Sequence, residues 1–223
     1  MSEQSATAWL LPSFEPRFVT FEGGEGVGKS TQVGHLAERL RACGAEVVTT
    51  REPGGSPGAE EIRALLIHGE AARWDAATET LLHFAARRDH LIKTVWPALE
   101  RGAWVLCDRF ADSTRAYQGA GQGGDPALIE TLYRHVVGDF RPGRTLLLDL
   151  PVATGLARAA ARNAGGERYE AMDVSFHERL RAGFLAIARH EPERCRVIDA
   201  SLSEVAVAEA VWSAMTENAE APE

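Results

Sequence analysis

Cysteine is scarce. The 223 residues hold three, Cys43, Cys107 and Cys195, far apart and without a C-x-x-C pair. An odd number at such spacing argues against a disulfide framework or a zinc site, and the three read as small apolar residues in reducing surroundings. Long apolar runs are missing too: none approaches the roughly 18 residues that cross a bilayer. The first 15 residues carry acidic groups and no basic start ahead of an apolar stretch, so they do not read as a secretory signal. Nor is there an excess of positive charge. Lys and Arg number 24 against 32 Asp and Glu, for a formal net charge of −8. That balance excludes a broad basic face for nucleic acid but leaves room for a local basic pocket. The expectation is a cytoplasmic protein with neither a membrane nor a nucleic-acid partner.

What is present is ordinary globular material, 45% hydrophobic and 25% charged, in a chain the length of one domain. Residues 1–16 read as a flexible arm, residues 17–215 as a single domain, and residues 216–223, with three glutamates and a proline, as an acidic tail. Within the domain, short apolar runs alternate with helical patterns. Strands are expected at Arg17–Phe21, Glu46–Thr50, Ala103–Cys107, Arg144–Leu150 and Arg196–Asp199. Helices are expected at Lys29–Cys43, Glu60–Ile67, Thr78–Arg101 (broken or bent near Pro97), Pro126–Val137, Val152–Arg162, Ala171–His190 and Leu202–Met215. Such alternation predicts an α/β fold: three layers, with a mostly parallel five-stranded sheet covered on both faces and ligands beyond its carboxyl edge.

The sharpest local signal is Gly23-Gly24-Glu25-Gly26-Val27-Gly28-Lys29-Ser30, followed by Thr31. It matches G-x-x-x-x-G-K-[ST] between a predicted strand and a predicted helix, the context of a phosphate-binding P-loop. Glycines let backbone N–H groups turn towards phosphate oxygens, and the helix N-terminus adds partial positive charge. Lys29 would reach the β/γ-phosphates and Ser30 would ligate Mg²⁺. The fold class is therefore read as the P-loop NTPase type. Such a loop says nucleotide phosphate and no more; the residues around it must choose the chemistry.

Four further stretches stand at strand ends or on helices. Arg51-Glu52-Pro53-Gly54-Gly55 is a tight turn after the second strand, with an arginine able to fork onto phosphate. In Leu81-Leu-His-Phe84-Ala-Ala-Arg87-Arg88, Phe84 and Arg88 stand four apart on one helix face, an arrangement suited to a flat base joined to a phosphate; Arg87 adds a second cation, and the pattern leaves open which of the two faces the base. Cys107-Asp108-Arg109-Phe110 sets a carboxylate for Mg²⁺ beside a guanidinium for phosphate, and Ser113-Thr114-Arg-Ala-Tyr117-Gln118 supplies polar groups for a base edge or sugar. Arg158, Arg162 and Arg168 flank Asn163-Ala-Gly-Gly166, a segment over about 158–170 able to close as a lid and exclude water.

Taken in order, F-E-G-G-E-G-V-G-K-S-T, T-R-E-P-G-G-S, L-L-H-F-A-A-R-R, D-R-F-A-D-S-T-R-A-Y-Q-G and E-R-Y-E with F-H-E-R-L-R resemble the thymidylate kinases from about Phe18 to about Ile198. The resemblance implies transfer of a phosphoryl group from ATP to dTMP, with Mg²⁺, in a homodimer that serves dTTP biosynthesis. It implies that Gly23–Thr31 holds the ATP phosphates, and that Glu25 approaches the acceptor 3′-hydroxyl and the magnesium waters, with Ser30 and Asp108 completing the metal set. Phe84 would stack on thymine, with Arg88 and Gln118 or Thr114 reading its edge and Pro53 and Ser113 beside the acceptor. Arg51 and Arg109 would hold its phosphate, and Tyr117 would crowd the sugar 2′ position. Arg162, or Arg158 or Arg168, would be the lid arginine. Val27 gives the P-loop no basic residue, which resembles the bacterial members, where the lid supplies that arginine.

Overall fold

The structure, a computed structural model, describes residues 14–70, 73–162 and 168–216. Most of the expected arm, the tail beyond Thr216 and the centre of the expected lid lie outside the described residues. The elements run β1 (Phe14–Glu22), α1 (Lys29–Ala42), β2 (Val47–Arg51), α2 (Pro57–Ile67), α3 (Ala76–His90), α4 (Trp96–Glu100), β3 (Trp104–Asp108), α5 (Ala111–Thr114), α6 (Pro126–Val136), β4 (Arg141–Asp149), α7 (Val152–Arg162), α8 (Val174–His190), β5 (Cys195–Asp199) and α9 (Glu204–Thr216). The strands form one sheet in the order β2-β3-β1-β4-β5, every neighbouring pair parallel. β1 begins at Phe14, three residues before the expected start, and pairs there with Arg141 of β4.

Alternation along the strands separates two cores, because successive side chains point to opposite faces. Val19 and Phe21 of β1 pack with Leu106, Leu146 and Leu148 against Val33, Leu36 and Leu40 of α1 and Val207 and Val211 of α9. Phe18, Val105 and Cys107 face the other way, against Leu91, Val95, Ile129 and Tyr133. Leu147 meets Leu180 and Phe184 of α8 on that second face. Each such side chain contributes roughly 1.5–3 kcal/mol when fully buried. The three layers expected from the sequence are thus present. Among the described residues no helix is long and apolar enough to cross a membrane.

Two helical segments contain a π-helical turn. The helix expected to be broken or bent near Pro97 is continuous, running from α3 through a π-helical turn at Leu91–Val95 into α4. Proline lacks the N–H that would bond the carbonyl four residues back and its ring crowds that carbonyl; the wider turn just before it relieves both. The polar stretch after Arg109 is also helical: α5 passes into a second π-helical turn, Arg115–Gly121. Asp112, Ser113, Thr114, Tyr117 and Gln118 are all buried there, so no apolar stripe marks the helix in the sequence.

Register sets the site. Phe21 at the end of β1 pairs with Asp108 of β3, and Asp108 pairs with Arg51 of β2. The loops that follow these three strands therefore leave the sheet at one level.

Candidate active site

Gly23–Gly28 carries the chain from β1 into α1, whose N-cap is Gly28 with φ 93°. Gly26, φ 69°, lies against Gly155 of α7, and a Cβ on Gly155 would stand 2.5 Å from the Glu25 carbonyl oxygen. Only glycine lets the loop and α7 come this close. The loop borders a cavity of about 340 Å³ at the carboxyl edge of the sheet. Glu25, Gly26, Val27, Gly28, Lys29 and Ser30 line it, with Arg51, Pro53, Asp108, Arg109, Ser113, Tyr117 and Gln118 from the other expected motifs. Gly23 and Gly24, at the start of the loop, line a small separate recess with Leu148 and Gly155, and Thr31 is exposed beyond the loop.

The P-loop lysine folds over its own loop. Lys29 Nζ donates to Gly24 O at 2.8 Å and Gly23 O at 3.2 Å. Burial and the neighbouring Arg109 guanidinium push it down to about 8. Arg109 has φ 72°, in the left-handed region that is rare for a non-glycine residue. Its neighbours hold it there: its backbone N–H donates to Phe21 O at 2.9 Å, and Nη1 donates to Gly23 O at 2.9 Å and Ser113 Oγ at 3.2 Å. Nη2 donates to Glu25 Oε1 at 3.2 Å, and Tyr117 OH donates to the same oxygen at 2.5 Å. Burial alone would raise Glu25, but Arg109 and Lys29 outweigh it and hold the carboxyl below its ordinary range.

Beneath this layer lies Glu22, which the motif reading passed over. It accepts from Phe110 N at 2.8 Å and Ser113 Oγ at 2.6 Å, and burial followed by the charge of Asp112 raises it to about 8. Arg51 Nη2 donates to both oxygens of Glu60, and Arg63 Nη1 donates to Pro53 O at 2.9 Å. Arg63 also lines the cavity, a cation missed because α2 carries no phosphate motif.

On the α3 side of the cavity the pairing expected from the sequence is one residue out of phase. Phe84 packs in the core beneath the sheet, and Arg88 turns away, donating to Val136 O at 3.0 Å and lying over Trp96. His83 and Arg87 face the cavity instead. One residue on an α-helix is a rotation of about 100°, enough to carry the pair from one face to the other. Burial, then the charge of Arg87, pushes His83 down to about 3, so the ring is neutral. Arg87 Nη2 donates to Phe110 O at 3.2 Å and to Thr114 Oγ1 at 3.0 Å, so Thr114 supports the arginine rather than lining the cavity. Arg87 Nη1 and Gln118 Oε1 are buried with no partner among the described residues. One is a donor and the other an acceptor, and both belong to side chains lining the cavity.

The three lid arginines part company. Arg158 Nη1 donates to Ala200 O at 3.0 Å, on the loop after β5. Arg162 ends α7, and its side chain is outside the described residues. Arg168 is a correction: it is buried, with Nη2 2.5 Å from Glu79 Oε1 and Nε donating to Leu66 O at 3.0 Å. A guanidinium committed to a buried carboxylate is an anchor, not a free lid cation.

Ser30 Oγ donates to Asp108 Oδ2 at 2.7 Å, so two hard oxygen donors meet beside the loop. Among the described residues no group of three His, Cys, Asp or Glu could hold an ion by itself. This donor set fits Mg²⁺, which characteristically takes one or two protein oxygens and completes its shell with water and substrate phosphate. Ser30 and Asp108 would hold it; Glu25 is taken up by Arg109 and Tyr117.

The thymidylate kinase family model matches residues 21–211. A thymidylate kinase of Caulobacter vibrioides is 59% identical over 194 residues, covering 87% of this chain and 93% of the relative. One from Nitrobacter winogradskyi is 53% identical over 205 residues, covering 91% and 89%. The crystal structure of thymidylate kinase from Ehrlichia chaffeensis superposes with a TM-score of 0.71 at 38% identity, covering 88% of this chain and 96% of that one. With its sheet order, its P-loop and the cavity between them, the chain belongs to the thymidylate kinase family.

Proposed function

We propose that this chain transfers the γ-phosphoryl group of ATP to dTMP, giving ADP and dTDP, a step towards dTTP. The observation that carries the acceptor assignment is two unpartnered polar atoms on side chains lining the cavity. Arg87 Nη1 offers a donor and Gln118 Oε1 an acceptor. Thymine presents the complement on one edge, a carbonyl oxygen beside an N–H. Cytosine presents an amino group beside a bare nitrogen, and would oppose donor to donor and acceptor to acceptor. Leaving buried polar groups unmatched is what makes such a site selective. The neutral His83 ring gives the base a flat face, and Tyr117, packed among Tyr169, Phe176 and Phe184, crowds the sugar 2′ position.

The acceptor phosphate would meet Arg51 and Arg109 and the donor phosphates the Gly23–Thr31 loop, with Lys29 swinging from its carbonyls onto the β/γ-oxygens. The attacking atom is a phosphate oxygen, already ionised near neutral pH, so no strong base is needed. The protein's work is alignment and charge stabilisation. Mg²⁺ on Ser30 and Asp108 supplies positive charge to the phosphate oxygens. Arg162, at the end of α7, is the proposed lid arginine. A cytoplasmic homodimer belongs to the same reading. Leu81 and Ile92, both exposed on the α3 side, are the apolar residues such pairing would cover, and size-exclusion chromatography at two concentrations checks it. The test of the whole is ADP release from Mg²⁺-ATP with dTMP, dUMP, dCMP, AMP and thymidine at equal concentration. A dominant dTMP signal is expected, with dUMP weaker for want of the 5-methyl group. Equal signals would overturn the base assignment, and silence with every acceptor would overturn the activity.

A further inference from the structure

Arg87 is held by more than the cavity needs. Its side chain is 1% exposed, and a guanidinium has N–H donors on three nitrogens. Nη2 is spent on Phe110 O and Thr114 Oγ1, and Nε donates to Glu52 Oε2 at 2.8 Å. Among the described residues, Nη1 alone is left without a partner. Glu52 comes from the Arg51–Gly55 turn, remote in sequence, and is itself 3% exposed. Its other oxygen is 3.0 Å from His90 Nδ1, and His90 Nε2 is 2.7 Å from Thr50 Oγ1. His90 lies three residues beyond Arg87 on α3, on the same face.

Glu52 fixes the direction of the two hydrogen bonds made to it. A carboxylate can only accept, so His90 Nδ1–H and Arg87 Nε–H both donate to Glu52. The Thr50 hydroxyl closes the other side of the ring, 2.7 Å from Nε2. Thr50, His90 and Glu52 thus form a continuous chain of hydrogen bonds ending on the arginine. The turn is also clamped over the imidazole. A Cβ on Gly55 would stand 2.7 Å from the His90 ring, and Thr94 Oγ1 donates to Gly55 O at 2.7 Å.

Resting on the acceptor assignment above, we propose that Glu52 and His90 are positioning residues for acceptor recognition. They aim the one free nitrogen of Arg87 at the base and lock that arginine to the turn carrying Arg51 and Pro53. The base end and the phosphate end of the acceptor are then read by one preorganised unit, while the donor phosphates are held by the P-loop. Loss of the chain should weaken the acceptor alone, since nothing in it touches the loop that holds ATP.

His90→Leu removes both ring hydrogen bonds, His90→Asn keeps a donor near the Nδ1 position, and Thr50→Val removes only the hydroxyl that orients the ring. In steady-state kinetics on the full chain, His90→Leu is expected to raise KM for dTMP about tenfold, the size of one lost positioning hydrogen bond. It should narrow the preference for dTMP over dCMP while leaving KM for ATP within about twofold. His90→Asn should recover most of the loss, and Thr50→Val, the mildest change, should raise KM for dTMP about threefold. Thr50→Val keeps the test alive if His90→Leu does not fold. A folded His90→Leu or Thr50→Val protein with wild-type KM for dTMP overturns the proposal. So does a parallel loss in kcat and both KM values with no rescue by asparagine, which marks a purely structural role. A wild-type enzyme with no preference for dTMP over dCMP overturns the acceptor assignment itself, and the dyad's role with it.

Discussion

Arg168 offers the sharpest contrast between a group that holds the fold and one that meets substrate. Its side chain and that of Glu79 are both fully buried, 2.5 Å apart at the closest atoms. Glu79 also accepts from Tyr169 OH at 2.8 Å, Gln118 Nε2 at 3.0 Å and Gln122 Nε2 at 2.8 Å. One carboxylate therefore ties the segment beyond the lid to α3 and to the π-helical turn that carries Gln118. Arg168→Met leaves that carboxylate without a cation in a dry site. Removing one partner of a buried pair costs about 3–5 kcal/mol. For a chain of this length each kcal/mol lowers Tm by roughly 2–4 °C, so the expected drop is about 6–20 °C. Thermal and urea denaturation followed by circular dichroism at pH 7 measure it. Adding Glu79→Leu removes the stranded charge and should restore part of the loss, short of wild type because Gln118, Gln122 and Tyr169 lose their acceptor. An Arg168→Met protein with Tm within 2 °C of wild type (well inside the roughly 6–20 °C expected) and kcat down a hundredfold would refute the anchor and return Arg168 to the lid.

Three other outcomes follow from the site. Lys29→Ala should lower kcat at least about a hundredfold, the scale of losing one preorganised charge donor at a transferring group; single-turnover kinetics with saturating ATP separate this from weaker binding. His83→Ala should raise KM for dTMP about tenfold with little change for ATP, since stacking on a ring is worth about 1–3 kcal/mol per base. Glu22, raised to about 8 from 4.5, keeps its proton in the folded chain where the unfolded chain has released it. Between those values the folded state binds more protons, so this group makes stability fall as pH rises from about 4.5 to about 8. Glu22→Gln should remove that slope, and urea midpoints taken across the range that do not separate the two proteins would contradict the assignment.

The part of the site that sequence reveals is the part written in contiguous motifs at strand ends. Gly23–Ser30, Asp108, Arg109 and Tyr117 converge because parallel strands in register deliver their loops to one edge. Position along a helix was harder. Both His83–Arg87 and Phe84–Arg88 set a ring four residues before a cation, and periodicity alone cannot choose between them. The choice is made by transfer energy: phenylalanine goes to the core beneath the sheet, and the more polar histidine is left to the cavity. The helix over Ala111–Gly121 was hidden for a related reason, since a segment buried on nearly every side, polar positions included, shows little amphipathic contrast. Glu52 and His90 are 38 residues apart, and nothing local in either flank announces that they touch.

In the proposed reaction the phosphoryl group leaves ATP for the phosphate of dTMP and not for water. Phosphorus NMR of the full chain with Mg²⁺-ATP and dTMP observes this directly. The phosphate resonance of dTMP should give way to the two coupled resonances of dTDP in step with ADP. ADP accompanied by inorganic phosphate, with dTMP unchanged, would contradict it.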